Sequence, residues 1–213
     1  MIELYNKSYI EDPYPIGLTI TDPPYNQNYH YNSYRDKLSE DEYIKLLSHI
    51  KRPCVIIHYP EETINIFPKI WGHCDEVVSW VYPSNTGKMF RLISFWGCTP
   101  DFKKGGQPYR NPTDKRVQKL IAQGKQCRLY DWWEINQVKN VSKEKTAHPC
   151  QIPQELIKRI IQITAQPGQT IIDPFAGSGT TLAVAKELGY SAIGYEIDSA
   201  YYQIALDRIG AVG

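Results

Sequence analysis

Four residues, Asp22-Pro23-Pro24-Tyr25, carry the clearest chemistry in this chain. They follow a short apolar run, Leu18-Thr19-Ile20-Thr21, that reads as a buried strand. The strand therefore ends on a carboxylate. Pro23 and Pro24 have no N–H to donate and fix φ, so the chain leaves the sheet as a stiff bend. A carboxylate, carbonyls free of local donors and an aromatic ring suit a flat substrate bearing an amino group. Asp22 and the Pro23 carbonyl can each accept one amino hydrogen while Tyr25 stacks on the ring. The competing reading is an ordinary polar turn.

A second stretch, Asp173-Pro174-Phe175-Ala176-Gly177-Ser178-Gly179-Thr180, follows the apolar run Thr170-Ile171-Ile172 and leads into a helical run from Thr181 to Leu188. Strand, glycine turn and helix form the setting of a nucleotide-type cofactor site, with Gly177 and Gly179 allowing close backbone approach. The helix start favours an anionic group such as a carboxylate. Leu182 stands where a dinucleotide fingerprint has its third glycine, and no Gly-Lys-Ser/Thr ending follows, which excludes a P-loop. The next strand, Ser191 to Tyr195, ends in Glu196, 23 residues beyond Asp173. That spacing is near the roughly 20 residues at which an acidic group meets ribose hydroxyls.

Taken together these stretches resemble the amino-group DNA methyltransferases that use S-adenosylmethionine. Asp22 to Tyr25 resembles the family's catalytic motif, and residues 173–179 its Asp-x-Phe-x-Gly-x-Gly cofactor motif. Glu196 sits where the family binds the cofactor ribose. His148-Pro149-Cys150-Gln151-Ile152-Pro153 is similar to a His-Pro-x-Gln-Lys-Pro segment that walls the methionine end, with Ile152 in place of Lys. The resemblance thus implies cofactor contacts from Asp173, Phe175, Gly177, Ser178, Gly179, Thr180, Glu196, His148 and Pro149. It covers 1–95 and 146–210, with the catalytic motif first, the order of the β group. The implied fold is α/β: a doubly wound, mostly parallel seven-stranded methyltransferase sheet with one antiparallel strand and a short basic insert. The implied reaction is methyl transfer to N6 of an adenine flipped out of a specific site in double-stranded DNA. Asp at the first catalytic position is usual for adenine enzymes, and cytosine N4 is the alternative.

Three rivals share some of these residues. Pro149-Cys150 superficially resembles the nucleophile of carbon-5 cytosine methyltransferases, which place it after the glycine motif and not before it. Protein-glutamine and free-base methylases usually carry the cofactor motif first. The third is a DNA-binding relative without turnover.

The formal net charge is only +1, yet residues 87–146 hold 13 Lys and Arg against 5 Asp and Glu. A basic block in a near-neutral chain points to a local polyanion surface, and Tyr109, Tyr130, Trp132 and Trp133 within it argue against disorder. Lys103, Lys104, Arg110, Lys115, Arg116 and Lys119 are the candidate phosphate contacts. One domain is expected, divided into a catalytic half (1–99), a basic DNA-recognition insert (100–146) and a cofactor half (147–213). So short an insert suggests a homodimer, and a cognate restriction endonuclease is a possible partner.

No run of 18 apolar residues and no secretory signal is present, so no membrane partner is expected. Five widely spaced cysteines lack zinc-ligand spacing and read as reduced, mostly buried thiols of a cytoplasmic protein of bacterial, archaeal or phage origin, with no metal.

Strands are expected at Ile2–Asn6, Cys54–Tyr59, Glu76–Tyr82 and Met89–Trp96, the last as the antiparallel one. Ser39 and Glu42 form a capping box for a helix through Ile50. Further helices are expected at 61–70, 114–123, 153–165 and 199–209. Asn26 to Tyr34, with His30 and Arg35 nearby, reads as a mobile loop beside the site, either one able to close over a base or an ordinary surface loop. Strands alternating with helices indicate a sheet covered on both faces, with ligands at the strands' carboxyl ends. Asp22, Asp173 and Glu196 all occupy such ends.

Overall fold

The computed structural model describes residues 1–11, 14–29, 34, 36–84 and 87–211. Among them the chain runs β1 (Ile2–Tyr5), β2 (Leu18–Thr21), α1 (Glu40–Ser48), β3 (Cys54–His58), α2 (Pro60–Asn65), α3 (Phe67–Trp71), β4 (Glu76–Val81) and β5 (Phe90–Trp96). It continues with β6 (Gly106–Gln107), α4 (Lys115–Ala122), β7 (Cys127–Arg128), β8 (Trp132–Glu134), α5 (Gln154–Thr164), β9 (Ile171–Asp173), α6 (Thr180–Glu187), β10 (Ala192–Tyr195) and α7 (Ser199–Ala211).

The main sheet has the order β1-β10-β9-β2-β3-β5-β4-β8. Seven strands give the expected arrangement, with β5 antiparallel to both β3 and β4. An eighth, β8, comes from the basic block and pairs parallel with β4, Trp133 opposite Trp80. Leu129, Trp133 and Ile135 are buried, so this part of the block belongs to the core.

Every residue of β3 is buried, with Val55 and Ile57 facing one core cluster and Cys54 and Ile56 the other. The period-2 alternation sends neighbouring side chains to opposite faces, and both faces are covered. One face holds α5, whose Leu156, Ile157, Ile160 and Ile161 recur at helical spacing and are all buried. Each such burial stabilises by about 1.5–3 kcal/mol. The other face holds Tyr43 and Leu47 of α1 with Phe67 and Trp71 of α3. β2 and β9 are adjacent, and the chain winds away from them in opposite directions. Their carboxyl ends open a crevice at this switch point.

Several local expectations hold. Ser39 and Glu42 form the capping box, and Asp114 caps α4 through the Arg116 and Val117 amides. The single helix expected over 61–70 is instead two, broken at Ile66. Pro68 has no N–H for the carbonyl four residues back, and its ring crowds that turn. Of the five cysteines only Cys54 is buried, and Cys150 is exposed, contrary to the mostly buried expectation. Cys74, Cys98 and Cys150 lie in connecting segments outside the regular elements, where side chains are partly or fully exposed. No helix among the described residues is long and apolar enough to cross a membrane.

Candidate active site

The cleft at the switch point measures about 510 Å³. It is lined by Asp22, Pro23, Pro24 and Tyr25 on one side, and by Asp173, Phe175, Gly177, Ser178, Thr180, Glu196 and His148 on the other. Residues 150 positions apart meet because β2 and β9 are neighbours: the Thr21 hydroxyl donates to Asp173 Oδ1 at 2.7 Å.

Strand β2 is buried throughout, so its exit is fixed, and Asp22 follows at once. The Tyr25 hydroxyl donates to Asp22 Oδ1. Arg91, from the start of β5, places Nη1 3.9 Å from Asp22 Oδ2, with side-chain exposures of 16% and 15%. Burial pushes the Asp22 carboxyl above the usual carboxylate range, while Arg91 and the Tyr25 hydroxyl pull it back. The Arg91 guanidinium also lies 4.9 Å from the Tyr25 ring centre, 5.2 Å from Trp80 and 5.5 Å from Tyr59.

The bend is braced from behind. Tyr43 of α1 donates to the Pro24 carbonyl at 2.7 Å and meets His58 Nε2 at 2.8 Å. His58, fully buried at the end of β3, lies 4.3 Å from the Tyr25 ring centre. The loop after Tyr25 is anchored at its base, and residues 30–33 of the expected mobile segment lie outside the described residues. The buried Asp36 carboxylate accepts from the backbone amides of Asn26, Gln27 and Tyr29 at 2.8–3.0 Å. Asn26 exchanges two hydrogen bonds with Leu38. The buried carboxylate thus satisfies the backbone amides of this short polar stretch. His30 and Arg35 lie outside the described residues.

On the other wall, Glu196 accepts from the Gly177 amide at 2.9 Å and the Asp198 amide at 2.8 Å. Its carboxylate is pinned between the glycine turn and the end of β10, with its pKa raised by burial. Asp173 accepts from Thr21 and from the Phe175 amide, and burial lifts its pKa to about 6. His148 accepts the Cys150 amide at Nδ1, which leaves the proton on Nε2. Burial, reinforced by Lys145, lowers its pKa to about 4, so it is neutral at pH 7. Gly177 has φ +51, and a Cβ there would come within 3.1 Å of His148 Nε2. The glycine thus keeps the backbone open to the cleft.

Gly179 serves differently from expectation. It has φ +72, and a Cβ would come within 2.9 Å of the Ala205 Cβ. It lets α7 pack against the start of α6 and is absent from the cleft lining. Ser178 and Thr180 face the cleft but are also held by Arg208, at 3.1 and 2.7 Å. Pro149 is exposed and also outside the lining, while Cys150 and Ile152 are in it.

The sequence profile of a DNA methylase family matches residues 73–207, more than half of the chain. The chain belongs to the DNA methylase family. This DNA methylase is similar to the type II methyltransferase M.HpaI of Haemophilus parainfluenzae, 26% identical over 91% of this chain and 68% of the relative. Among solved structures it resembles the M1.HpyAVI–SAM complex, with a TM-score of 0.63 and 25% identity over 98% of this chain and all of that one. It shares its fold with the cytosine-N4-specific PvuII DNA methyltransferase, with a TM-score of 0.68 and 16% identity over 97% of this chain and 86% of that one.

The six basic residues named from the sequence are exposed, and none lines the DNA methylase's cleft. Trp96 pairs with Cys54 at the start of β3, so the chain leaves β5 at the amino ends of the parallel strands, the end of the sheet opposite the cleft. The Asp101 amide donates to the Ile163 carbonyl near the end of α5, and Leu129 returns to Phe102. The lobe bearing Lys103, Lys104, Arg110, Lys115, Arg116 and Lys119 is thus rooted at that far end of the sheet. Arg110 packs over Tyr130 at 4.9 Å, and Arg116 lies 3.8 Å from Asp114.

The sequence reading missed Arg91, His58, Tyr43, Asp36 and Arg208. Two left a signal: His58 ends an apolar strand just as Asp22 does, and Arg91 is a charge inside a run that is otherwise a strand of the core. No group of three or more His, Cys, Asp or Glu able to hold a metal occurs among the described residues.

Proposed function

We propose that this DNA methylase transfers a methyl group to the N6 amine of an adenine flipped out of a specific site in duplex DNA. The observation that carries the proposal is the position of Asp22: a mostly buried carboxylate opposite Glu196 and Gly177 across one cleft. S-adenosylmethionine is the cofactor, and when bound it supplies an electrophilic methyl group on a sulfonium. The residues present fit it. Glu196 is held in place to accept ribose hydroxyls, Gly177 leaves room for the chain's backbone to meet the ligand, and His148 forms a neutral wall. Tyr9 packs edge-on to Phe175 at 5.1 Å and steadies that ring at the cleft.

An exocyclic amine conjugates its lone pair into the base and is a poor nucleophile. The Pro24 carbonyl is engaged by Tyr43, so the Pro23 carbonyl is the acceptor to work beside Asp22. Hydrogen bonds from both amino hydrogens to Asp22 and Pro23 draw the nitrogen towards a tetrahedral shape and direct its lone pair outwards. Asp22 then stabilises the positive charge that develops on nitrogen, which is binding specific to the transition state. Tyr25 provides the stacking surface for the flipped base. Closeness and alignment of the two walls supply much of the remainder.

Asp at position 22 favours adenine, as in the adenine enzymes the chain resembles. Cytosine N4 is the second reading, since the same chemistry serves either amine. The exposed cations of the 100–146 lobe supply phosphate contacts, and a homodimer would widen the DNA surface. A cognate restriction endonuclease remains part of the proposed setting. The test is incubation of unmethylated plasmid DNA with the protein and labelled cofactor, with modified positions read by native DNA sequencing. N6-methyladenine at a defined sequence supports the proposal; absence of incorporated label overturns it.

A further inference from the structure

The cleft holds a charged group that amine chemistry alone does not use. Arg91 is a side chain of the antiparallel strand β5, packed against Tyr25, Trp80, Tyr59 and Tyr82. Such a cation is costly to bury without a partner. Its nearest carboxylate is Asp22, and 3.9 Å is longer than a hydrogen bond. Its Nε has no hydrogen-bond partner among the described residues. The guanidinium therefore lines the same cleft as the proposed amine acceptor without a hydrogen bond to its carboxylate.

A carboxylate and a guanidinium side by side present one acceptor and one donor. Adenine and cytosine share the complementary edge. Each has an amino group joined through one carbon to an unprotonated ring nitrogen, N1 in adenine and N3 in cytosine. Guanine and thymine reverse it, with an exocyclic oxygen next to a ring N–H. Their oxygen would face the Asp22 carboxylate, and their N–H would face a guanidinium that has only donors.

We infer that Arg91 reads the target base, donating a hydrogen bond to the ring nitrogen adjacent to the amine while Asp22 accepts from the amine itself. The inference deepens the amine-methylation reading and rests on it. Two consequences follow. Keto bases are rejected by unpaired and opposed polar groups, which discriminate more strongly than shape. The ring nitrogen, itself nucleophilic, has its lone pair tied up, so the amine is the group left to react. The Asp22–Arg91 pair stays neutral overall, and the carboxylate lies nearer the amine whose charge develops.

The test uses the full chain and duplexes carrying its methylated site, with the target adenine replaced by 1-deazaadenine, which keeps the amine but lacks N1. For a cytosine target the analogue is 3-deazacytosine. Expected is a kcat/KM loss of about ten- to a hundredfold in the wild type, the range for a hydrogen bond to a charged group. In Arg91→Met the same replacement should cost less than about twofold. Arg91→Lys, which keeps the charge but not the fork, should fall between and serves if Arg91→Met does not fold. S-adenosylhomocysteine binding should be unchanged in both variants. An analogue penalty equal in wild type and variants overturns the inference. So does a variant whose only change is an upward shift of the acid limb of kcat, because Arg91 would then act solely by keeping Asp22 ionised. A wild type that methylates no plasmid DNA is a different result, and it fails the amine-methylation reading itself.

Discussion

The hydroxyl of Tyr43 lies 2.7 Å from the carbonyl oxygen of Pro24, so a helix side chain on one face of the sheet fixes the bend that carries Asp22. Tyr43 is buried, and the same hydroxyl meets His58. Tyr43→Phe leaves a carbonyl and an imidazole nitrogen without this partner. The expected cost is about 1–3 kcal/mol, or roughly 2–4 °C of melting temperature per kcal/mol for a chain of this size. The rate of methyl transfer should fall while S-adenosylhomocysteine affinity holds. Calorimetric melting and titration check both, and an unchanged melt would show that the bend needs no brace.

Asp22 must be ionised to accept from the amine and stabilise its charge. Burial raises its pKa, so activity should fall as pH drops through a limb above the ordinary carboxylate range. Asp22→Asn should remove that limb and lower kcat by about 10²–10³, by analogy with the removal of transition-state hydrogen bonds. Cys150→Ser should keep most activity, since Cys150 is a cleft-wall residue in this mechanism. A dead Cys150→Ser with 5-methylcytosine as product would instead reveal a thiolate nucleophile. Nucleoside analysis of the product distinguishes the two.

Glu196 links cofactor binding to the shape of the glycine turn through the Gly177 and Asp198 amides. Wild-type protein with S-adenosylhomocysteine at 100 times its Kd should gain about 2.7 kcal/mol of stability. Glu196→Ala should weaken that ligand by about 1.5–3 kcal/mol. Thermal-shift titration measures both, and equal affinities would remove Glu196 from the cofactor site.

Asp173 makes a stability prediction of unusual sign. Its pKa is raised from 3.8 to about 6 in the fold. Between those values the folded state holds a proton that the unfolded chain has lost. Stability from this group is therefore present below pH 4 and is lost as pH rises towards 6. The difference in melting temperature between wild type and Asp173→Asn should change across pH 4–6 in that direction and level off above it. A difference flat with pH would mean that Asp173 titrates normally.

The basic lobe is tested by salt. Replacing Lys115 and Arg116 by Ala should weaken DNA binding and flatten the plot of log affinity against log salt, by about 0.9 for each phosphate no longer neutralised. Cofactor binding should be unaffected, because the lobe is rooted at the end of the sheet opposite the cleft. An unchanged slope would make the lobe a solvated surface.

The sequence by itself determined the motifs and the scaffold. Local chemistry is written locally: Pro23 and Pro24 stiffen a bend, Gly177 opens a turn, and a capping box starts α1. The alternation of strands and helices dictates a covered parallel sheet, and the strand-end rule brings Asp22, Asp173 and Glu196 to one crevice. The break at Ile66 was missed by the sequence reading, which took 61–70 as one helix although Pro68 interrupts it. What only the tertiary structure decided is partnership across the fold. Arg91 reaches Asp22 because β5 runs antiparallel and starts where β2 ends. His58 and Tyr43 meet behind Tyr25 because α1 packs on β3, and Gly179 serves helix packing because Ala205 lies over it. The lobe of cations roots away from the cleft because its parent strand is reversed. Spacing along a chain specifies which strand end a residue occupies, but it carries no information on which side chain from another element packs against it, and burial by those neighbours sets the charge and reach of the site.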